Sequence, residues 1–180
     1  MTLTLNGTNN TISGLAVGGL PDGSVDADTL ATSVTRGKIL QVVTAESQTE
    51  ADSTSDIDLL TCSITPSAAS SNVYVQLVWW IGGASNPNGG FKLTRAGTAV
   101  GATSSNHSSA TGSFHSSDDY PMTQHEMLPF SWNYLDTGIS TTSATEYKLS
   151  TISFSQIYYN RNSAGTASGR STMILMEIGA

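Results

Sequence analysis

Charged residues are scarce in this chain of 180 amino acids, where they make up 12%, about half the usual share in globular proteins. Only seven are Lys or Arg and they are scattered, so the formal net charge is −7 and the pI is about 4.6. A chain with so few cations neutralises few phosphates, which argues against nucleic-acid binding. Anionic membrane surfaces are disfavoured for the same reason.

Cysteine and long apolar runs are also scarce. The one cysteine, Cys62, has no partner for an internal disulfide, and we interpret it as a small buried strand residue. The longest apolar run, residues 77–81, is too short to span a bilayer. The first residues have neither a basic start nor an apolar stretch, so we expect no secretory signal, no membrane insertion and synthesis in the cytoplasm.

Serine, threonine and glycine take the place of charge. The chain contains 51 Ser and Thr residues and 17 Gly, types that favour turns over helices. Apolar residues make up 38%, which is enough for one core. This composition predicts many short strands joined by polar loops in a single domain with an additional arm.

Residues 1–37 form the predicted N-terminal attachment arm. Leu3 and Leu5 alternate with threonine, and Ile12 and Leu15 follow among Gly and Ser. This segment is too short and too rich in glycine for a core of its own. We therefore expect these four apolar residues to pack against a partner.

One short helix is predicted at the end of the arm. Ser24 can act as its N-cap, and apolar residues from Ala27 to Val34 recur at i, i+3, i+4 and i+7. Gly37 suits the position just past the helix end.

Residues 38–180 have the period of two that is typical of strands. About nine strands are expected, with no helical pattern between them, which predicts an antiparallel β-sandwich of the jelly-roll type. The long segment 145–160 changes phase, so we expect a bulge or bend there. Residues 102–124 are polar and lack a clear period. The clearest predicted strands cover residues 39–43, 57–65, 72–81, 91–95, 98–100, 127–135 and 173–178.

Two adjacent tryptophans lie on the strongest predicted strand. Trp79 and Trp80 must point to opposite faces of a strand, so one core cannot receive both. An exposed aromatic face on a protein with little charge favours aggregation, and a closed symmetric assembly would cover it. We expect Trp79 or Trp80 at or near a subunit boundary, or under the arm. Trp132, on a later strand, is expected in the core or at an interface.

Candidate chemistry is weak throughout the sequence. Three histidines and two aspartates in one polar region, with Glu126 beside them, suggest a metal site, but the spacings fit no compact ligand motif. No nucleophile elbow or phosphate loop is present. We predict no enzyme activity, no cofactor and no metal. The residues of this polar region are His107, His115, Asp118, Asp119 and His125.

Five short motifs can be recognised along the chain, at residues 2–15, 22–30, 37–43, 91–95 and 171–178. In these motifs the chain resembles small tail-fibre-like virion proteins of tailed bacteriophages. The resemblance implies a jelly-roll sandwich that forms a homotrimer, is not an enzyme, and contacts other virion proteins through its arm. No shaft segment is visible, which keeps a capsid decoration (cement) or head-fibre protein open as the alternative.

Two functions of other classes remain open at this point. A soluble glycan-binding lectin would bind sugars as an isolated trimer, and a host surface glycan is a possible partner. A small hydrolase would need a cleft with a carboxylate or histidine of shifted pKa. The main expectation is a virion protein that works by assembly.

Overall fold

The computed structural model describes residues 4–6, 11–13, 38–82, 90–101, 113–116, 125–152 and 156–179. These residues form thirteen strands and no helix, which confirms the all-β prediction for this part of the chain. The chain divides into two compact units, Met1–Arg36 and Gly37–Ala180.

The strands are numbered in chain order. They are β1 (Thr4–Asn6), β2 (Thr11–Ser13), β3 (Ile39–Ser47), β4 (Ala51–Ser53), β5 (Asp58–Ile64), β6 (Asn72–Gly82), β7 (Gly90–Arg95), β8 (Thr98–Val100), β9 (Ser113–Ser116), β10 (Met127–Asp136), β11 (Thr145–Ile152), β12 (Ile157–Tyr159) and β13 (Ser171–Ile178).

The first unit contains one antiparallel pair, β1 with β2, in which Leu5 is opposite Ile12. The helix predicted from Ser24 to the end of the arm lies outside the described residues.

The first sheet of the second unit is built around β6. Strand β13 pairs with one edge of β6 and β10 pairs with the other, and β3 pairs with the far edge of β13. All four strands are antiparallel to their neighbours. Strands β12 and β4 extend the sheet beyond β13 and β3, since β12 pairs with both β6 and β4.

Strands β12 and β13 lie in line along β6, separated by an excursion of the chain over residues 160–170. Asn160 holds the base of this excursion, because its backbone N–H donates to Trp80 O at 3.0 Å and its side-chain amide donates to Ser47 O at 2.9 Å. Ser171 Oγ donates to Asn160 Oδ1 at 2.6 Å. Because of these hydrogen bonds, β12 and β13 can occupy the same position beside β6 although eleven residues separate them.

The second sheet has the order β5, β11, β7, with β8 and β9 both pairing with the far edge of β7. All pairs are antiparallel. The register between β5 and β11 shifts between Leu149 and Ser150. This irregularity confirms the bulge or bend predicted from the change of phase in that segment.

The cores of both sheets are made by alternating residues. In β6, Val73, Val75, Leu77, Trp79 and Ile81 are at most 2% exposed, while the residues between them are half-buried. The Trp79 ring lies 4.9 Å from that of Phe91 in the second sheet and 5.7 Å from that of Phe130 in β10. The two antiparallel sheets share one apolar cluster, which is consistent with a β-sandwich.

Sequence reasoning missed two short strands, β4 and β9. Strand β9 falls inside the polar segment 102–124 that was predicted to have no period, and β4 has only three residues. Three or four residues are too few to establish a period of two. Both strands pair with a segment far away in the chain, β4 with β12 and β9 with β7, and this information is not contained in the local sequence.

A buried carboxylate fixes the loop between β5 and β6. Glu177, on the inward side of β13, is 0% exposed. Its Oε1 accepts hydrogen bonds from Ser67 N at 2.8 Å, Ser67 Oγ at 2.6 Å and Ser71 Oγ at 2.6 Å, and its Oε2 accepts one from Gln41 Nε2 at 2.6 Å. Burial opposes ionisation, but these hydrogen bonds outweigh it and lower the pKa of Glu177 to about 2.

We predict that Glu177→Gln lowers the free energy of unfolding at neutral pH by roughly 2–3 kcal/mol, because an amide NH₂ replaces an oxygen that accepts hydrogen bonds. The folded pKa lies below the ordinary value of 4.5, so the contribution of Glu177 is present above that pH and is lost as the pH falls towards 2. Urea unfolding between pH 2 and 7 should therefore show a shallower acid decline in the variant. The control is Glu146→Gln, at an exposed carboxylate, and equal slopes for Glu177→Gln and wild type would contradict the account.

Candidate functional site

An apolar row crosses the outer side of the first sheet. Val42 is opposite Met176, Met176 is opposite Tyr74, and Tyr74 is opposite Leu135, so the row spans β3, β13, β6 and β10. Val42 is 54% exposed and Leu135 is 47% exposed. The outer side of a sheet that faces water is normally polar.

Further apolar residues adjoin this row. Ile174 and Ile178 lie on the same side of β13, and Ile39, which pairs with Ile178, is 53% exposed. None of these positions carries a charge. We call this surface the apolar face, and its residues are Ile39, Val42, Tyr74, Leu135, Ile174, Met176 and Ile178.

The outer side of the second sheet has the opposite character. Lys148 Nζ lies 3.1 Å from Asp58 and 3.7 Å from Glu146, and Lys92 belongs to the neighbouring strand. The hydrogen bond and the charge of Asp58 raise the pKa of Lys148. Exposed ion pairs of this kind add little stability, but they mark a surface suited to water.

The two tryptophans face opposite sides of the sheet, as predicted. Trp79 is 1% exposed inside the core, whereas Trp80 is half-buried on the outer side. The backbone of Gly169, in the excursion between β12 and β13, lies against the Trp80 ring, because a Cβ at that position would come within 2.5 Å of Trp80 Cγ. The chain itself therefore covers part of Trp80, and the row from Val42 to Leu135 offers more exposed apolar surface.

The other predicted assembly residues belong to the arm. Leu5 and Ile12 are register partners in the pair of β1 with β2, while Leu3 and Leu15 lie outside the described residues. Trp132 is half-buried and stacks on Tyr134, with ring centroids 5.5 Å apart.

A polar network lies where β10 ends. Asp136 accepts hydrogen bonds from Arg95 Nη1 at 2.6 and 2.8 Å, from the Tyr147 hydroxyl at 2.8 Å and from Gly138 N at 2.9 Å. Burial, together with the bond to this carboxylate, raises the pKa of Tyr147, so its hydroxyl stays protonated and donates. Sequence reasoning missed this network. The sequence did carry a signal, because Asp136 follows Phe130, Trp132 and Tyr134 at a spacing of two and therefore lies on the same inward side of β10.

A pocket of about 120 Å³ opens beside this network. Arg95 and Ala96 form one wall, and residues 138–141 of the β10–β11 loop form the other. The Arg95 side chain is 25% exposed, so its guanidinium is partly withdrawn from water.

The histidines considered as metal ligands do not form a cluster among the described residues. His115 belongs to β9, His125 is exposed, and His107 lies outside the described part. Within that part, no group of three or more His, Cys, Asp or Glu side chains is placed to hold a metal. Cys62 is 6% exposed, and burial raises the pKa of its thiol.

No protein-family model and no curated protein matches the chain. The resemblance to bacteriophage virion proteins therefore stays a prediction from short motifs. The described residues also contain no helix with the length and hydrophobicity that a membrane crossing requires.

We predict that Asp136→Ala lowers the free energy of unfolding by about 3 kcal/mol, because it leaves Arg95 and the Tyr147 hydroxyl without their buried partner. The matched control is Glu46→Ala, which removes the exposed ion pair with Arg170 at 2.8 Å and should cost less than about 1 kcal/mol. Chemical denaturation at pH 7 measures both. Similar losses for the two variants would show that the Asp136 network contributes no more to stability than an exposed ion pair does.

Proposed function

We propose that this chain is a non-enzymatic structural protein on the exterior of a bacteriophage particle, of the tail-fibre-like kind, and that it assembles as a homotrimer. The observation that carries the assembly role is the apolar face on the first sheet. Its row of four apolar side chains crosses the whole sheet without a charge. The partner that we assign to it is a second copy of this chain.

Charge favours the apolar face as the surface through which two copies would meet. The chain has a net charge of −7, so two copies repel wherever their acidic surfaces meet. The apolar face avoids this cost, whereas the second sheet would bring Asp58 and Glu146 into the contact. Fully burying one large apolar side chain contributes about 1.5–3 kcal/mol, so several together can offset the cost of association.

We also propose that the sandwich is a jelly roll, and the strand order supports this. When β3–β4, β8–β9 and β12–β13 each count as one position, every sheet has four positions. Along the chain these positions fall in sheets one, two, one, two, two, one, two and one. Jelly rolls built from eight such strands occur in viral capsid and lectin domains.

The ends of the domain support a role for the arm in attachment. Gly179 N donates to Lys38 O at 2.8 Å, so the domain begins and ends at the same end of the first sheet. The loops 48–50 and 160–170 lie at the opposite end. We propose that residues 1–37 dock on other virion proteins and that the opposite loops point outward.

Light scattering tests the assembly role. The full-length protein should have about three times the chain mass of 18.8 kDa, and Leu135→Asp should lower this mass because it places a charge in the apolar face. Thr61→Asp is the matched control, since Thr61 is exposed on the second sheet. A wild-type monomer at micromolar concentration, or a Leu135→Asp trimer, would contradict this interface.

The location on the particle is a separate test. Gold-labelled antibodies against the chain, applied to intact phage, should decorate the tail or its fibres. Labelling confined to the head would favour the capsid decoration or head-fibre alternative. Particles without label would remove the virion role altogether.

A glycan-binding lectin is the second candidate, and the pocket at Arg95 is the observation that favours it. The structure offers less support for the hydrolase alternative. Glu177 has a shifted pKa, but it is fully buried and both its oxygens already accept hydrogen bonds.

A further inference from the structure

Arg95 uses only part of its hydrogen-bonding capacity. Both of its hydrogen bonds to Asp136 come from the same nitrogen, Nη1. Among the described residues, neither Nε nor Nη2 of Arg95 has a partner. The N–H groups on these two nitrogens point in parallel along one edge of the guanidinium, which matches the spacing of two carboxylate oxygens.

Asp136 contacts the guanidinium through Nη1 alone, so this carboxylate occupies neither Nε nor Nη2. The same carboxylate also accepts hydrogen bonds from the Tyr147 hydroxyl and the Gly138 N–H, which hold it in place. The Arg95 side chain is also three-quarters buried, and charge-assisted hydrogen bonds are stronger where water is excluded. An anionic oxygen pair at this edge would satisfy two partly desolvated donors.

The volume of the pocket suits one small ring. Its volume of about 120 Å³ is close to the ~150 Å³ of a cavity that holds a benzene molecule. Gly138 contributes to this space, because a Cβ there would lie 3.0 Å from Arg95 Nη1. Without a side chain, this residue leaves the guanidinium accessible from the loop.

Hydroxyl groups line the same pocket. Thr141 Oγ1 accepts from Ser143 N at 3.0 Å, so its proton remains available for donation. The Ser140 hydroxyl is exposed and has no hydrogen-bond partner among the described residues. A ligand with both a carboxylate and ring hydroxyls would therefore find partners of both kinds.

We propose that this pocket binds an acidic sugar, with the hexuronate carboxylate on the Nε–Nη2 edge of Arg95 and ring hydroxyls on Ser140 and Thr141. The proposal rests on the glycan-binding candidate function and is independent of assembly, so a negative result would leave the light-scattering test unaffected. The ligand class fits an acidic polysaccharide on a cell surface.

Titration of the full-length ¹⁵N-labelled protein by NMR tests the proposal. Galacturonate should shift the amide signals of Gly138 and Thr141 and the Nε–H signal of Arg95. Galactose is the matched ligand, because it differs only in having CH₂OH in place of the carboxylate, and it should bind at least tenfold more weakly. Equal binding of the two sugars, shifts confined to other residues, or no shift at tens of millimolar would overturn the proposal.

Two variants assign the contacts. Arg95→Lys keeps the charge beside Asp136 but loses the parallel donors, so galacturonate affinity should fall at least tenfold. Ser140→Ala, at an exposed position, should fold normally and weaken binding by a smaller factor of about threefold. Arg170→Lys, on the exposed pair with Glu46, is the control and should not change affinity.

A third ligand separates sugars from peptides. N-acetyl-aspartate carries two carboxylates on a peptide-like group without ring hydroxyls, and despite its additional charge it should bind more weakly than galacturonate. Tighter binding of N-acetyl-aspartate, lost in Arg95→Lys, would show that the pocket accepts an acidic peptide and would overturn the sugar assignment.

Discussion

The inward side of β6 carries the packing on which both sheets depend. Five of its residues, from Val73 to Ile81, are almost fully buried, and both edges of the strand are paired, with β13 on one side and β10 on the other. Trp79 extends this packing across to Phe91 of the second sheet. A strand held at both edges and on one face has a fixed register, because a slip by one residue would turn Trp79 outward and Trp80 inward. The same register aligns the side chains of the apolar row on the outer side of the sheet.

Two buried carboxylates organise the end of the domain where the chain enters and leaves. Glu177 holds the loop before β6, and Asp136 holds the loop after β10 together with Arg95 and Tyr147. Each carboxylate is surrounded by donors, which is the condition under which a buried charge is tolerated. The same residue that neutralises Asp136, Arg95, also lines a pocket. Loop anchoring and a candidate binding site thus come from one network.

The two outer surfaces of the sandwich point to different environments. Lysine and acidic side chains cover the second sheet, as expected for a surface in water, while the first sheet presents Val42, Met176 and Leu135 in one row. An uncharged apolar surface on an acidic, weakly charged chain is an aggregation hazard unless something covers it. The symmetric self-association that we propose would cover it with a surface that carries no charge, where acidic copies do not repel one another. The proposed assembly therefore follows from how the charges are distributed more than from their number.

The sequence by itself determined the all-β class, the positions of the longer strands, the change of phase in β11 and the opposite directions of Trp79 and Trp80. These features depend on a period of two, which is local and can be read from neighbouring residues. The same alternation along β10 and β13 also places Asp136 and Glu177 on the inward sides of their strands, although the sequence analysis did not single them out. Only the tertiary structure decided that Trp80 lies under Gly169, that four strands bring Val42, Met176, Tyr74 and Leu135 into one row, and that Arg95 meets Asp136 across 41 positions of sequence. Strand order and register set these contacts, and both depend on the packing of segments far apart in the chain.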